Sequence, residues 1–171
     1  CWMYCPDFFD QLFLLDTGRI KMTSEQLLGY TAAGGHTGML EEWQAKSARI
    51  FGDGVYGGIT HWVVERSLGA QHLRKYQWAQ LWERKWGTQI VEFQTTGANK
   101  WDETLGVPMV KPWWKSGRIR LPFASGAPAM ASLKLIEEVT RYPNAGTDDQ
   151  VMAHWFPINK LEEIAVRKHH D

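Results

Sequence analysis

Two places in the sequence put carboxylates where chemistry can use them. Glu65 closes the apolar run His61-Trp62-Val63-Val64, and in open α/β sheets ligands gather at the carboxyl ends of strands. The same side chain could equally emerge into solvent and pair with Arg66 or another neighbour. Asp148 and Asp149 stand at the start of the last strongly helical segment. There the competing explanation is local: Thr147-Asp148-Asp149-Gln150 has the spacing of a capping box, and acids in a first turn complement the helix dipole. Taken together, the acids suit two-metal phosphodiester hydrolysis. Mg²⁺ takes oxygen ligands, and two ions held ~3.5–4 Å apart need bridging carboxylates from separate elements. One ion generates the hydroxide nucleophile and the other stabilises the leaving oxygen.

A basic and aromatic stretch lies between these acids. Lys100-Trp101, Lys111-Pro112-Trp113-Trp114-Lys115 and Arg118-Ile119-Arg120 gather five cations within 21 residues. Cations for phosphates interleaved with aromatics make a DNA-facing surface. A solvated strand, with tryptophans packed inward and lysines outward, fits the same residues. The six histidines, His36, His61, His72, His154, His169 and His170, show no metalloprotease spacing and read as surface or core residues. Gly34-Gly35 and Gly57-Gly58 are not followed by Gly-Lys-Ser/Thr, so no phosphate-binding P-loop is present.

These residues need strands and helices to position them. Trp2–Cys5 and Gln11–Asp16 read as a hairpin turning through Pro6 and Asp7. Thr23 to Gln26 has capping-box spacing ahead of Leu27 and Leu28. Met39–Phe51 reads as a helix and the glycine-rich stretch from Gly52 to Gly58 as a loop. Ile59–Glu65 is the clearest strand, and its continuous apolar run predicts burial on both faces. Leu73–Trp86 predicts a helix with Trp78, Leu81 and Trp82 on one side, and Gln89–Phe93 a further strand. From Gln94 to Pro128 the sequence reads as loops with one short strand at Arg118–Leu121. Ser132–Tyr142 predicts an amphipathic helix facing inward through Leu133, Leu135, Ile136, Val139 and Tyr142. After Pro143 and Gly146 a last helix runs from about Asp148 to Phe156. This order predicts an α/β sheet domain.

Composition narrows the class. At 171 residues, 44% hydrophobic and 22% charged, the chain fits one soluble globular domain with a full core. Nineteen basic and nineteen acidic residues cancel, so a nucleic-acid surface has to be a local patch. Cys1 and Cys5 have no partner pair at zinc spacing and read as strand residues in a reducing compartment. No apolar run approaches the ~18 residues of a membrane span, and no signal peptide is apparent. Cys1 opens directly into the apolar run Trp2-Met3-Tyr4-Cys5, which reads as entry in the middle of a strand.

Three stretches resemble the nuclease domain of tailed-phage terminase large subunits, especially those of phages infecting actinobacteria. HWVVERS (61–67) resembles the strand ending in that family's second metal-binding acid. TTGANKWDETLGVPMVKPWWKSGRIRLP (95–122) resembles its TGxNK…GV…SGxIRLP segment. YPNAGTDDQVMAHWF (142–156) resembles its closing TDDxVMAxWF. The likeness is strong over 59–156, with a weaker match at LFLLDTGRIKMTSEQLL (12–28). The resemblance implies an RNase H-like fold, a central mixed β-sheet flanked by helices, over residues 1–171. It implies a two-metal-ion endonuclease using Mg²⁺ or Mn²⁺, with Glu65, Asp148 and Asp149 as catalytic metal ligands. Lys100, Lys111, Lys115, Arg118 and Arg120 would hold DNA. Related chains often carry another acid one turn beyond the aspartates, where Met152 stands here. The family's first acid lies on a strand ahead of the hairpin, and no segment here matches it. The expectation is therefore that this strand and the upstream ATPase domain are missing, that Asp16 is an auxiliary ligand at best, and that the fragment alone has little activity.

The implied function is cleavage of concatemeric double-stranded viral DNA during packaging in the host cytoplasm, with the portal protein and small terminase subunit as partners and no membrane. The SGRIRLP segment argues against a resolvase or transposase core of the same fold. The reading from a different class is a non-catalytic DNA-binding or portal-docking module.

Overall fold

The computed structural model describes residues 2–6, 11–17, 38–51, 58–66, 77–122 and 127–167. The turn at Asp7, the proposed Thr23–Gln26 helix start, most of the 52–58 loop, residues 71–76, Cys1, His36, His72, His169 and His170 lie outside them. The class is mixed α/β. Contacts divide the chain into two compact units: Cys1–Arg19 with Thr95–Asp171, and the inserted Ile20–Gln94. Each has its own sheet.

In the discontinuous unit, β1 (Trp2–Pro6) and β2 (Leu12–Thr17) form the expected antiparallel hairpin, and β2 continues into parallel pairing with β5 (Ile119–Arg120). Alternation sets the inward face of β2: Leu12 and Leu14 are buried while Phe13 is exposed. Asp16 shares that buried side, and its Oδ1 accepts the Thr17 amide at 2.8 Å. Leu12 pairs in register with the buried Ile119.

Among the described residues this unit also holds four helices: α3 (Gly97–Lys100), α4 (Val110–Lys115), α5 (Ala127–Arg141) and α6 (Asp149–Arg167). Where loops were expected between 94 and 118, the chain turns helical three times, counting a 3-10 turn at Val107–Met109, whereas the short strand expected at Arg118–Leu121 is present as β5. Pro108 and Pro112 mislead there. Pro108 sits at the start of the 3-10 turn and Pro112 in the first turn of α4, where a missing N–H costs nothing. Helix α5 packs on β2 and α6. Its buried side is Ser132, Leu135 and Glu138, whereas Leu133 and Ile136, expected inside, are exposed. Helix α6 continues through Pro157 to Arg167, well beyond the expected end at Phe156. Trp155 and Ile158 are buried on either side of that proline, and burying side chains of this kind contributes ~1.5–3 kcal/mol each. That exceeds the loss of one helical hydrogen bond at Pro157.

The inserted unit holds α1 (Met39–Phe51), β3 (His61–Glu65), α2 (Gln77–Trp86) and β4 (Gln89–Phe93). Strands β3 and β4 pair in parallel, His61 against Gln89 through Glu65 against Phe93, with α2 as the connecting helix. Only Trp62 of β3 is buried; Val63 and Val64 are half-buried, so the expected burial of both faces is incomplete. Its core is built on indoles. Trp62 lies 6.0 Å from Trp82 between ring centroids and donates its N–H to Gln44, which is wholly buried and in turn donates to the Ile59 carbonyl. Leu81, expected beside Trp82, is exposed.

Candidate functional site

At the start of α6 the backbone amides need acceptors, because the first turn has none of its own. The capping box expected from Thr147 and Gln150 does not supply them. Glu138, buried on α5, does: its Oε1 accepts the amides of Gln150 at 2.7 Å and Val151 at 3.0 Å. Its Oε2 takes the Thr147 hydroxyl at 3.3 Å. A carboxylate at a helix N-terminus also meets the positive end of the dipole. Capping is thus carried out from another helix, and no local pattern announces it because Glu138 and Gln150 are 12 residues apart.

Asp148 is thereby spared for a different contact. Its carbonyl begins the helical ladder through the Met152 amide, while its carboxylate accepts Lys100 Nζ at 2.6 Å. This ion pair joins two of the motif stretches, TGANK and TDDQVMA. Lys100 also lies 5.4 Å from the Trp101 ring centroid, and Trp101 stacks on Tyr142 at 6.3 Å. The Tyr142 hydroxyl is buried with no hydrogen-bond partner among the described residues. Burial pushes its phenol above the ordinary value; Lys100 opposes that and Asp148 adds to it. Asp149 is exposed in the first turn.

Local chemistry fixes where Lys100 stands. Thr96 and Asn99 cap α3 reciprocally: the Asn99 amide donates to Thr96 Oγ1 at 3.1 Å and the Thr96 amide to Asn99 Oδ1 at 2.7 Å. Asp102 then organises the turn, accepting the amides of Thr104 and Leu105, and those bonds, Leu105 first, hold its carboxyl below the usual range. The Leu105 carbonyl accepts Trp155 Nε1 and Asn159 Nδ2 of α6, each at 2.9 Å. Gly106 closes the turn where only hydrogen fits. A Cβ there would lie 2.7 Å from both the Asp102 nitrogen and the Lys100 carbonyl, and closer still to the Asp102 carbonyl.

The basic stretch is helical at Lys100 and Lys111–Lys115 and a strand only at Ile119–Arg120. Lys111 and Lys115, both exposed, are four apart on α4 and so share one face. The helix ends in a Schellman closure: Gly117 N–H donates to Trp114 O at 3.1 Å and Arg118 N–H to Trp113 O at 3.0 Å. Gly117 has φ +68°, the left-handed conformation this closure requires. Arg118 lies over the Trp113 ring at 3.6 Å, and the exposed Arg120 donates through Nε to Gln11 at 2.7 Å. Trp114 faces α6, donating to His154 Nε2 at 2.9 Å. Burial lowers the wholly buried His154 to about 3, so it stays neutral and is a core histidine, as its lack of motif implied.

Glu65 lies exposed at the carboxyl end of β3 in the inserted unit, in register with Phe93. Its neighbour Arg66 pairs with Glu92 at 3.9 Å. The expected ligand set is therefore divided between units: Glu65 in one, Asp148 and Asp149 in the other. Among the described residues no three His, Cys, Asp or Glu side chains group as a metal site. The aspartates offer the oxygen donors that Mg²⁺ or Mn²⁺ takes, but Asp148 is bonded to an ammonium. No described helix is long and apolar enough to cross a membrane. No protein-family model, curated protein or solved structure matches the chain.

Proposed function

We propose that the chain is the nuclease part of a viral DNA-packaging terminase, an RNase H-like, Mg²⁺- or Mn²⁺-dependent endonuclease acting on double-stranded DNA in the host cytoplasm. Glu65, Asp148 and Asp149 are its metal ligands in this reading. The observation that supports it is the Lys100–Asp148 ion pair: two stretches 48 residues apart, each resembling that family's motifs, meet side chain to side chain. Lys111, Lys115 and Arg120 are exposed cations suited to phosphates, and portal and small-subunit partners follow from the same resemblance.

One observation favours the non-catalytic, portal-docking reading. Met130, Leu133 and Ile136 are exposed at helical spacing on α5 (65%, 57% and 37%), an apolar stripe of the kind that docks proteins. Titration with Mn²⁺, followed by paramagnetic broadening of amide NMR signals, separates the two. The nuclease reading expects broadening concentrated at Glu65 and at Asp148–Gln150, and weakened by Asp148→Asn. Uniform broadening, unchanged by Asp148→Asn, would favour the docking module.

A further inference from the structure

The inserted unit carries an open groove of about 690 Å³ between α1 and the end of α2. This is within the range of small-ligand sites. Glu42, Lys46 and Arg49 line it at a spacing that puts them along one stripe of α1. Trp43 and Trp86 supply its flat walls, and the small side chains of Ala45 and Ala48 leave the space between.

Trp86 is held in place. Its Nε1 donates to Glu41 at 2.8 Å, and the same carboxylate accepts Trp82 Nε1 at 2.7 Å and Lys85 Nζ. Burial alone would raise the Glu41 carboxyl, but the bonds from Lys85, Trp86 and Trp82 outweigh it and keep the group below its ordinary value. Lys85 Nζ lies over one face of the Trp86 ring, 4.8 Å from its centroid, and a ring fixed by its own N–H presents what remains exposed at low entropic cost on binding. Lys46 Nζ lies over the Trp43 ring, 5.4 Å from its centroid, so the cation sits on one face of the indole.

Half-buried indoles beside two cations against one acid call for an occupant that is both anionic and flat. A free phosphate leaves the indoles unused, and a duplex hides its base faces. We propose that this groove binds single-stranded DNA, with an unstacked base against Trp43 and Trp86 and its phosphates on Lys46 and Arg49. This adds a second DNA contact to the proposed function and rests on that reading for the choice of DNA.

The test is fluorescence anisotropy of a labelled ten-nucleotide oligo-dT with the 171-residue chain, without divalent metal, so that it does not depend on nuclease activity. Trp43→Ala should weaken binding at least about fivefold, as loss of one stacking partner does. Lys46→Gln with Arg49→Gln should flatten the log–log salt dependence by about 1.4. Circular dichroism confirms that both variants fold. If both bind like the parent, or if an acidic peptide without aromatics competes as well as the oligonucleotide, the proposal is overturned. Groove binding in a chain whose Glu65 and Asp148 signals ignore Mn²⁺ would sink the nuclease reading and leave this one standing.

Discussion

Glu138 is the residue on which the candidate site most depends. It is buried, it belongs to α5, and it closes the first turn of α6 through two backbone amides. Glu138→Ala leaves those donors buried without an acceptor and should cost about 2–3 kcal/mol, read as a lower urea midpoint. Glu138→Gln should recover more than half of that loss, because both amides use the same oxygen and an amide carbonyl can replace it. Equal losses in the two variants would mean that the charge, not the acceptor geometry, is what α6 needs. The sequence marked Asp148 and Asp149 correctly as residues of a helix start. It could not show which carboxylate caps the helix, because a Thr-x-x-Gln pattern is satisfied locally on paper while a glutamate from another helix can outcompete it in the fold.

At the scale of elements, the motif segment 95–122 is a chain of tight closures. Thr96 and Asn99 box in α3, Asp102 and Gly106 fold the next turn, and Gly117 ends α4 in a left-handed residue. Gly106→Ala puts a methyl group against the Asp102 and Lys100 backbone and should destabilise the protein by about 1–3 kcal/mol. Thermal unfolding measures this, and an unchanged midpoint would show that the turn yields at no cost. Strands β1 to β4 and α1 were legible from periodicity because each is an uninterrupted run of one period. Helices α3 and α4 were not, since Gly97, Pro108 and Pro112 read as breakers although each stands where a helix begins. The inward face of α5 was misjudged for a related reason. Periodicity ranks Leu133 and Ile136 as core, but contact with β2 and the needs of α6 bury Ser132 and Glu138 instead.

For the whole molecule, balanced charge leaves recognition to local patches: the exposed cations of α4 and β5 in one unit and the cation–indole groove of α1 in the other. The α/β class was legible from the order of the elements. The division into two units was not, because a run of residues inserted between β2 and α3 leaves no mark in hydropathy. The central claim is that Glu65 and Asp148 serve one metal-dependent cut in DNA. Its most direct measurement is Mn²⁺-dependent nicking of supercoiled plasmid by the full-length natural protein, beside its Glu65→Ala and Asp148→Ala variants. Nicking by the parent should be abolished by EDTA and reduced at least about 100-fold in either variant, the order expected when a group that stabilises the transition state is removed. A parent that does not nick, or variants that cut as fast as the parent, would contradict it.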